Sequence, residues 1–200
     1  MLLFFPISFT KIRFLHVFFF IFSFFLSKES VHAQMPFSVK KDPHFYTAFN
    51  PLQNIEIHPD FNSSIHPRFQ SSLNPQFRSQ INPMLNAQIH PQFNAELNPQ
   101  FQSRLNPDFN PSLRILTPDF VYYSSELEPL LFFVASEDPR VFIGFNPELE
   151  FTFFLVSNGE TGFNLFDAAS EFSDIYFIPN GQGGFNVFSM QNEWLGFTAP

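Results

Sequence analysis

Cysteine is absent from the 200-residue chain, which excludes a disulfide framework, a thiol nucleophile and a lipid-modified cysteine. The other absences are positional. Lysine stops at Lys41, histidine stops at His90, and all seven glycines lie at or beyond Gly144. Threonine is missing from residues 49–112, so the regular threonine row that an ice-binding ladder would use is not there. Basic charge is nearly missing from the C-terminal part: residues 115–200 hold twelve acids against one arginine, a net −11, whereas residues 49–114 hold four of each and are neutral. Neither half offers a basic groove, and no phosphate-binding glycine motif occurs, so nucleic acid is excluded as a partner on composition.

The N-terminus supplies the long apolar run. Lys11 and Arg13 precede an apolar stretch from Phe14 to Leu26, and polar residues follow at once. That stretch makes about 20 Å of helix at about 1.5 Å per residue, short of the roughly 30 Å hydrocarbon core of a bilayer. With the small residues of Val31-His32-Ala33 at the cleavage position, residues 1–33 are expected to be a secretory signal peptide. The alternative is an uncleaved anchor that also uses Met1 to Phe9. Either way the expected location is secreted or cell-surface, with no membrane span after cleavage.

Proline then sets a metre. Pro51, Pro59, Pro67, Pro75, Pro83, Pro91, Pro99 and Pro107 fall on every eighth residue. The eight octads open on Phe49, Ile57, Ile65, Leu73, Ile81, Ile89, Leu97 and Leu105, continue with Asn or His and then Pro, and place Gln53, Phe61, Phe69, Phe77, Leu85, Phe93, Phe101 and Phe109 fifth. Units this small cannot bury an apolar face alone. Proline at this frequency rules out a long helix and a central strand. What remains is a tight turn per octad, with Pro second and Asn or His first, where a side chain can bond the backbone ahead. Two arrangements fit: a narrow solenoid of two or three octads per coil with both the Ile/Leu and Phe columns inside, or a flexible spacer.

Past residue 114 the pattern becomes one of strands. Asn158-Gly159 and Asn180-Gly181 each separate aromatic runs and signal hairpins. "VYYSS", "LLFFVAS" and the runs after them predict six or seven short antiparallel strands from Phe120 to Thr198. The expected fold is mainly β: residues 34–48 a polar lead-in, 49–114 a turn-rich octapeptide tract, solenoid-like or extended, and 115–200 a small acidic antiparallel β domain.

"GFNLFD" from Gly162 and "GFNVFS" from Gly184, the latter followed by "EWLGF", resemble the strand-turn-strand units of bacterial WG-type repeat proteins over residues 160–198. That resemblance implies an exported, surface-associated binding module. The octad tract is similar to tandem Asn-Pro repeats of exported bacterial proteins of unknown function.

No residue is assigned a catalytic, cofactor-binding or metal-binding role. His58, His66 and His90 stand where other octads carry Asn, which points to a shared turn-forming task and not to metal ligation. Asp167, Glu171 and Asp174 match no calcium loop. Glu126 with Glu128 and Glu148 with Glu150 are nominal glycosidase-type carboxylate pairs, but no histidine, cysteine or lysine accompanies them, and no enzymatic activity is expected. The expected function is structural or interactive. In one reading the tract is a spacer and the β domain binds or adheres to a protein or polysaccharide at the cell surface; in the other the tract is itself a ladder that binds a polysaccharide or self-associates.

Overall fold

The computed structural model describes residues 42–113 and 117–199; the expected signal peptide, residues 1–33, and residues 34–41 of the lead-in lie outside the described residues. The described residues belong to one compact unit. Its C-terminal part is a closed antiparallel barrel of eight strands: β1 (Phe120–Ser124), β2 (Pro129–Ala135), β3 (Val141–Phe145), β4 (Phe151–Ser157), β5 (Phe163–Asp167), β6 (Phe172–Pro179), β7 (Phe185–Ser189) and β8 (Trp194–Ala199). Each strand pairs with its sequence neighbours, and β1 closes on β8 through Val121 opposite Ala199. The six or seven strands expected thus become eight. Closure removes both sheet edges, a property of long-range pairing that short strand patterns do not encode.

The strands are apolar on both faces. Inside lie Phe133, Leu155, Leu165, Phe177 and Val187, with Phe142, Phe153, Phe163 and Phe185 completing an aromatic plug. Outside, one residue out of step, lie Val134, Ile143, Phe154, Val156 and Phe166 on one side and Tyr176, Ile178 and Phe188 on another. A barrel alone would leave this second set in water.

Four hairpins build the barrel, and the turns at one end share a design. Ser124, Asn146, Asp167 and Ser189 each accept, through a side-chain oxygen, the N–H of a glutamate four residues on: Glu128 at 3.2 Å, Glu150 at 2.8 Å, Glu171 at 2.8 Å and Glu193 at 3.2 Å. The residue before each glutamate (Leu127, Leu149, Ser170, Asn192) has positive φ, between 61° and 68°. At the opposite end the two Asn-Gly signals form the expected loops, with Asn158 N–H donating to the Gly162 carbonyl and Asn180 N–H to that of Gly184. Gly162 and Gly184 are required by close approach: a Cβ on either would sit 2.4 Å from a neighbouring strand's carbonyl oxygen, Phe177 or Thr198.

The octads do not form a solenoid with both apolar columns inside, and they are not an extended chain free of the barrel. They lie along the outside of the barrel and cover its second apolar face. Ile57, Ile81, Ile89, Leu97, Leu105 and Leu113 are buried, and the last three share one cluster with Val141, Ile143, Phe154 and Phe166. The tract runs against strand order. Asn186 on β7 donates its side-chain N–H to the Ile57 carbonyl at 2.9 Å, and Asn164 on β5 donates to that of Ile81 at 3.2 Å. Three octads therefore advance the tract by one hairpin.

Each octad holds two turns where one was expected. Asn50 carbonyl accepts from the N–H groups of Gln53 and Asn54, and its side-chain oxygen accepts from Leu52 N–H at 3.0 Å. Asn54 then repeats the move on Glu56 N–H at 3.1 Å. Every fourth residue is thus an extended cap, as at Asn62 (φ −121°, ψ 94°) and His66 (φ −105°, ψ 121°), with a three-residue turn between. The same geometry reaches back to Asp42-Pro43, where Asp42 accepts from His44 N–H at 2.9 Å, so the lead-in joins the repeat one unit early.

Candidate interaction surface

Geometry within the octad sets its two apolar columns on different sides of the tract. The Asn side chain works at both ends: its oxygen caps the turn ahead while its amide reaches back to an earlier carbonyl, as from Asn82 to Pro75 at 3.0 Å and from Asn98 to Pro91 at 3.2 Å. These bonds lock successive turns in one orientation. The Ile/Leu-Asn/His-Pro triplet then faces the barrel, and the fifth residue faces away. The consequence overturns the expectation that the Phe columns are inside: Phe61, Phe69, Phe77, Leu85, Phe93, Phe101 and Phe109 are 64–74% exposed. Both apolar columns recur every eight residues, and only the barrel's presence on one side separates them.

The three histidines do what Asn does. Nδ1 of His58, His66 and His90 accepts the N–H two residues ahead, from Asp60 (3.2 Å), Arg68 (3.0 Å) and Gln92 (3.2 Å). That role demands an unprotonated Nδ1. Burial holds the pKa of His66 and of His90 below the ordinary histidine value, and the Arg68 charge adds to the effect at His66. Each ring also bridges the two layers: His66 lies 5.4 Å from outward Phe69 and 5.2 Å from Phe188 of the barrel, and His90 lies 5.2 Å from both Phe93 and Phe166.

Polar ties fix the tract on the barrel. Arg78 forks onto Glu160, Gln100 donates to the Ala168 carbonyl at 2.7 Å, and Ser170 Oγ donates to Asn98 at 3.0 Å. Asp138, nearly buried, holds Arg140 at 2.7 Å and Arg104 at 3.5 Å. The Arg140 hydrogen bond keeps the Asp138 carboxyl below the usual carboxylate range, against an opposing push from burial.

The nominal carboxylate pairs are not on strands. Glu126 and Glu128 lie in the β1–β2 turn and Glu148 and Glu150 in the β3–β4 turn, where Glu128 and Glu150 close the shared five-residue design. Asp167 caps the corresponding β5–β6 turn by accepting Glu171 N–H, and Asp174 lies further along in β6. Among the described residues no three or more His, Asp or Glu side chains gather as a metal site. Among the described residues, a cleft lined by Leu73, Ile81, Asn158, Gly162 and Phe177 among others measures about 10 Å³, room for a single water. The barrel interior is packed with apolar side chains, Phe133 and Phe177 among them.

Comparison of the chain with family models, with curated proteins and with solved structures gives no match. The surface must therefore be read on its own chemistry. Its outer strip is a row of large apolar groups at constant spacing, set among Gln, Ser and Ala with scattered charges. Sequence reading missed the sixth place of the octad, which carries Asn54, Asn62, Gln70, Arg78, Asn86, Asn94, Gln102 and Asn110 and reveals the second turn. Among the described residues no helix is long and apolar enough to cross a membrane.

Proposed function

We propose that the protein is an exported, non-enzymatic structural or interaction protein whose barrel is a scaffold and whose octad tract presents the binding surface. The observation that carries this reading is the row of exposed phenylalanines on a tract that is otherwise fixed by hydrogen bonds to the barrel. Exposed apolar groups that regular are costly to keep in water unless something covers them. A tract wound on the barrel adds no reach, which favours the surface role over that of a spacer holding the β region away from an attachment point.

The competing assignment puts binding on the barrel's acidic turns. Two variants separate them: Phe69→Gln/Phe77→Gln/Phe93→Gln on the tract, and Glu128→Gln/Glu150→Gln/Glu171→Gln/Glu193→Gln at the barrel end. Gln already stands fifth in the first octad as Gln53, so the turn accommodates it. Retention of the exported chain on cell envelopes and on polysaccharide matrices is expected to fall with the tract variant and to survive the barrel-end variant. The reverse result assigns binding to the β region.

A further inference from the structure

We propose that the outward phenylalanine row is where this chain packs side by side against further copies of itself, an inference that rests on the tract being the binding surface. Area comes first. Aromatic side chains cover roughly 150–250 Å² each; with seven large residues about two-thirds to three-quarters exposed, the row offers on the order of 1,000 Å² of apolar surface in total, distributed along the tract at one large residue per octad. The tract follows the outside of the barrel from β8 towards β2, so the row is convex and faces several directions. A flat or straight partner would touch two or three units, well under the ~800 Å² per partner of a stable pair. Several neighbours, each covering part of the row, fit that shape.

Charge selects the neighbours and their orientation. The tract from 49 to 114 is neutral, with four acids and four arginines, so two tracts meet without repulsion. The β1–β2, β3–β4, β5–β6 and β7–β8 turns at one barrel end carry seven acids with the capping Asp167 included, among them Glu128, Glu150, Glu171 and Glu193, and no lysine or arginine. Two such ends repel, which disfavours stacking through them and leaves lateral contact. Spacing completes the fit. Two copies share one repeat by identity, and beside each large fifth residue the seventh place is Ser or Ala from Ser63 onward until Pro111, so a ring on one copy has a small residue to settle against on the next.

The test is the mass of the full chain, recovered after export from a secreting host, by light scattering across a hundredfold concentration range. Mass is expected to rise past a dimer, more steeply with added salt, and Phe69→Gln/Phe77→Gln/Phe93→Gln is expected to move the onset at least tenfold higher in concentration. Since the chain lacks cysteine, Phe77→Cys and Glu128→Cys add an independent readout: oxidation should cross-link copies through position 77 and not through position 128. A wild-type mass that stays monomeric, association unchanged by the Gln variant, or cross-linking through position 128 alone overturns lateral self-association. If the monomeric chain nevertheless loses polysaccharide retention in the Gln variant, the surface reading stands with a glycan partner; if retention is also unaffected, both readings fall together.

Discussion

The tract and the barrel satisfy their backbones in opposite ways. In the barrel the backbone is satisfied between strands, in hairpin ladders and in one closing ladder that joins residues far apart in sequence, Val121 with Ala199, and side chains are left to pack. In the tract the bonds are local, and Asn or His side chains serve as surrogate backbone, each capping the turn two residues ahead. The tract has order without a core; the barrel has a core and a second apolar face without cover. Each supplies what the other lacks. Burying an Ile or Leu contributes roughly 1.5–3 kcal/mol, and in the tract that contribution exists only against the barrel.

The largest expected break in this pairing is Leu105→Ala. Leu105 is fully buried in the shared cluster, so the loss should be about 2–5 kcal/mol in urea unfolding, melting tract and barrel together. Next comes Asn186→Ala, which strips the Ile57 carbonyl of its donor and should cost about 1–3 kcal/mol. Acid should act on the same contacts. His66 and His90 have pKa values below 6.5 in the folded protein, so the unfolded chain binds more protons as pH drops. Stability from these sites is complete above pH 6.5 and lost as pH falls through the folded values. The thermal midpoint should therefore decline as pH falls below 6.5, and His66→Asn/His90→Asn should flatten that decline. Arg78→Gln opens a half-exposed pair with Glu160 and should cost under about 1 kcal/mol, less still at high salt. Smallest is Phe77→Gln, whose ring is 74% exposed; its effect on folding should stay within about 0.5 kcal/mol.

Much of the local structure was legible. Asn-Pro and Asn-Gly fix turns through chemistry confined to four or five residues, and the interchange of His with Asn pointed to a common capping role that the Nδ1 contacts display. Barrel closure was not legible, since it depends on β1 meeting β8 across about seventy residues. Nor was the outward placement of the Phe column: Ile57 and Phe61 are both apolar, four residues apart, and only the barrel ranks them. One signal was available. "FTFFLVS" is apolar at successive positions, a pattern of strands covered on both faces, and the glutamates at 128, 150, 171 and 193 recur at about the hairpin period.

Amide hydrogen exchange across the chain tests the central claim, that tract and barrel are one cooperative body. The account predicts that the N–H groups of Ile57, Ile81, Leu97 and Leu105, each closing a tract turn, are protected alongside those of β3 to β7 and lose protection at the same denaturant concentration. Protection confined to residues 120–199, with the octads exchanging freely, would contradict it.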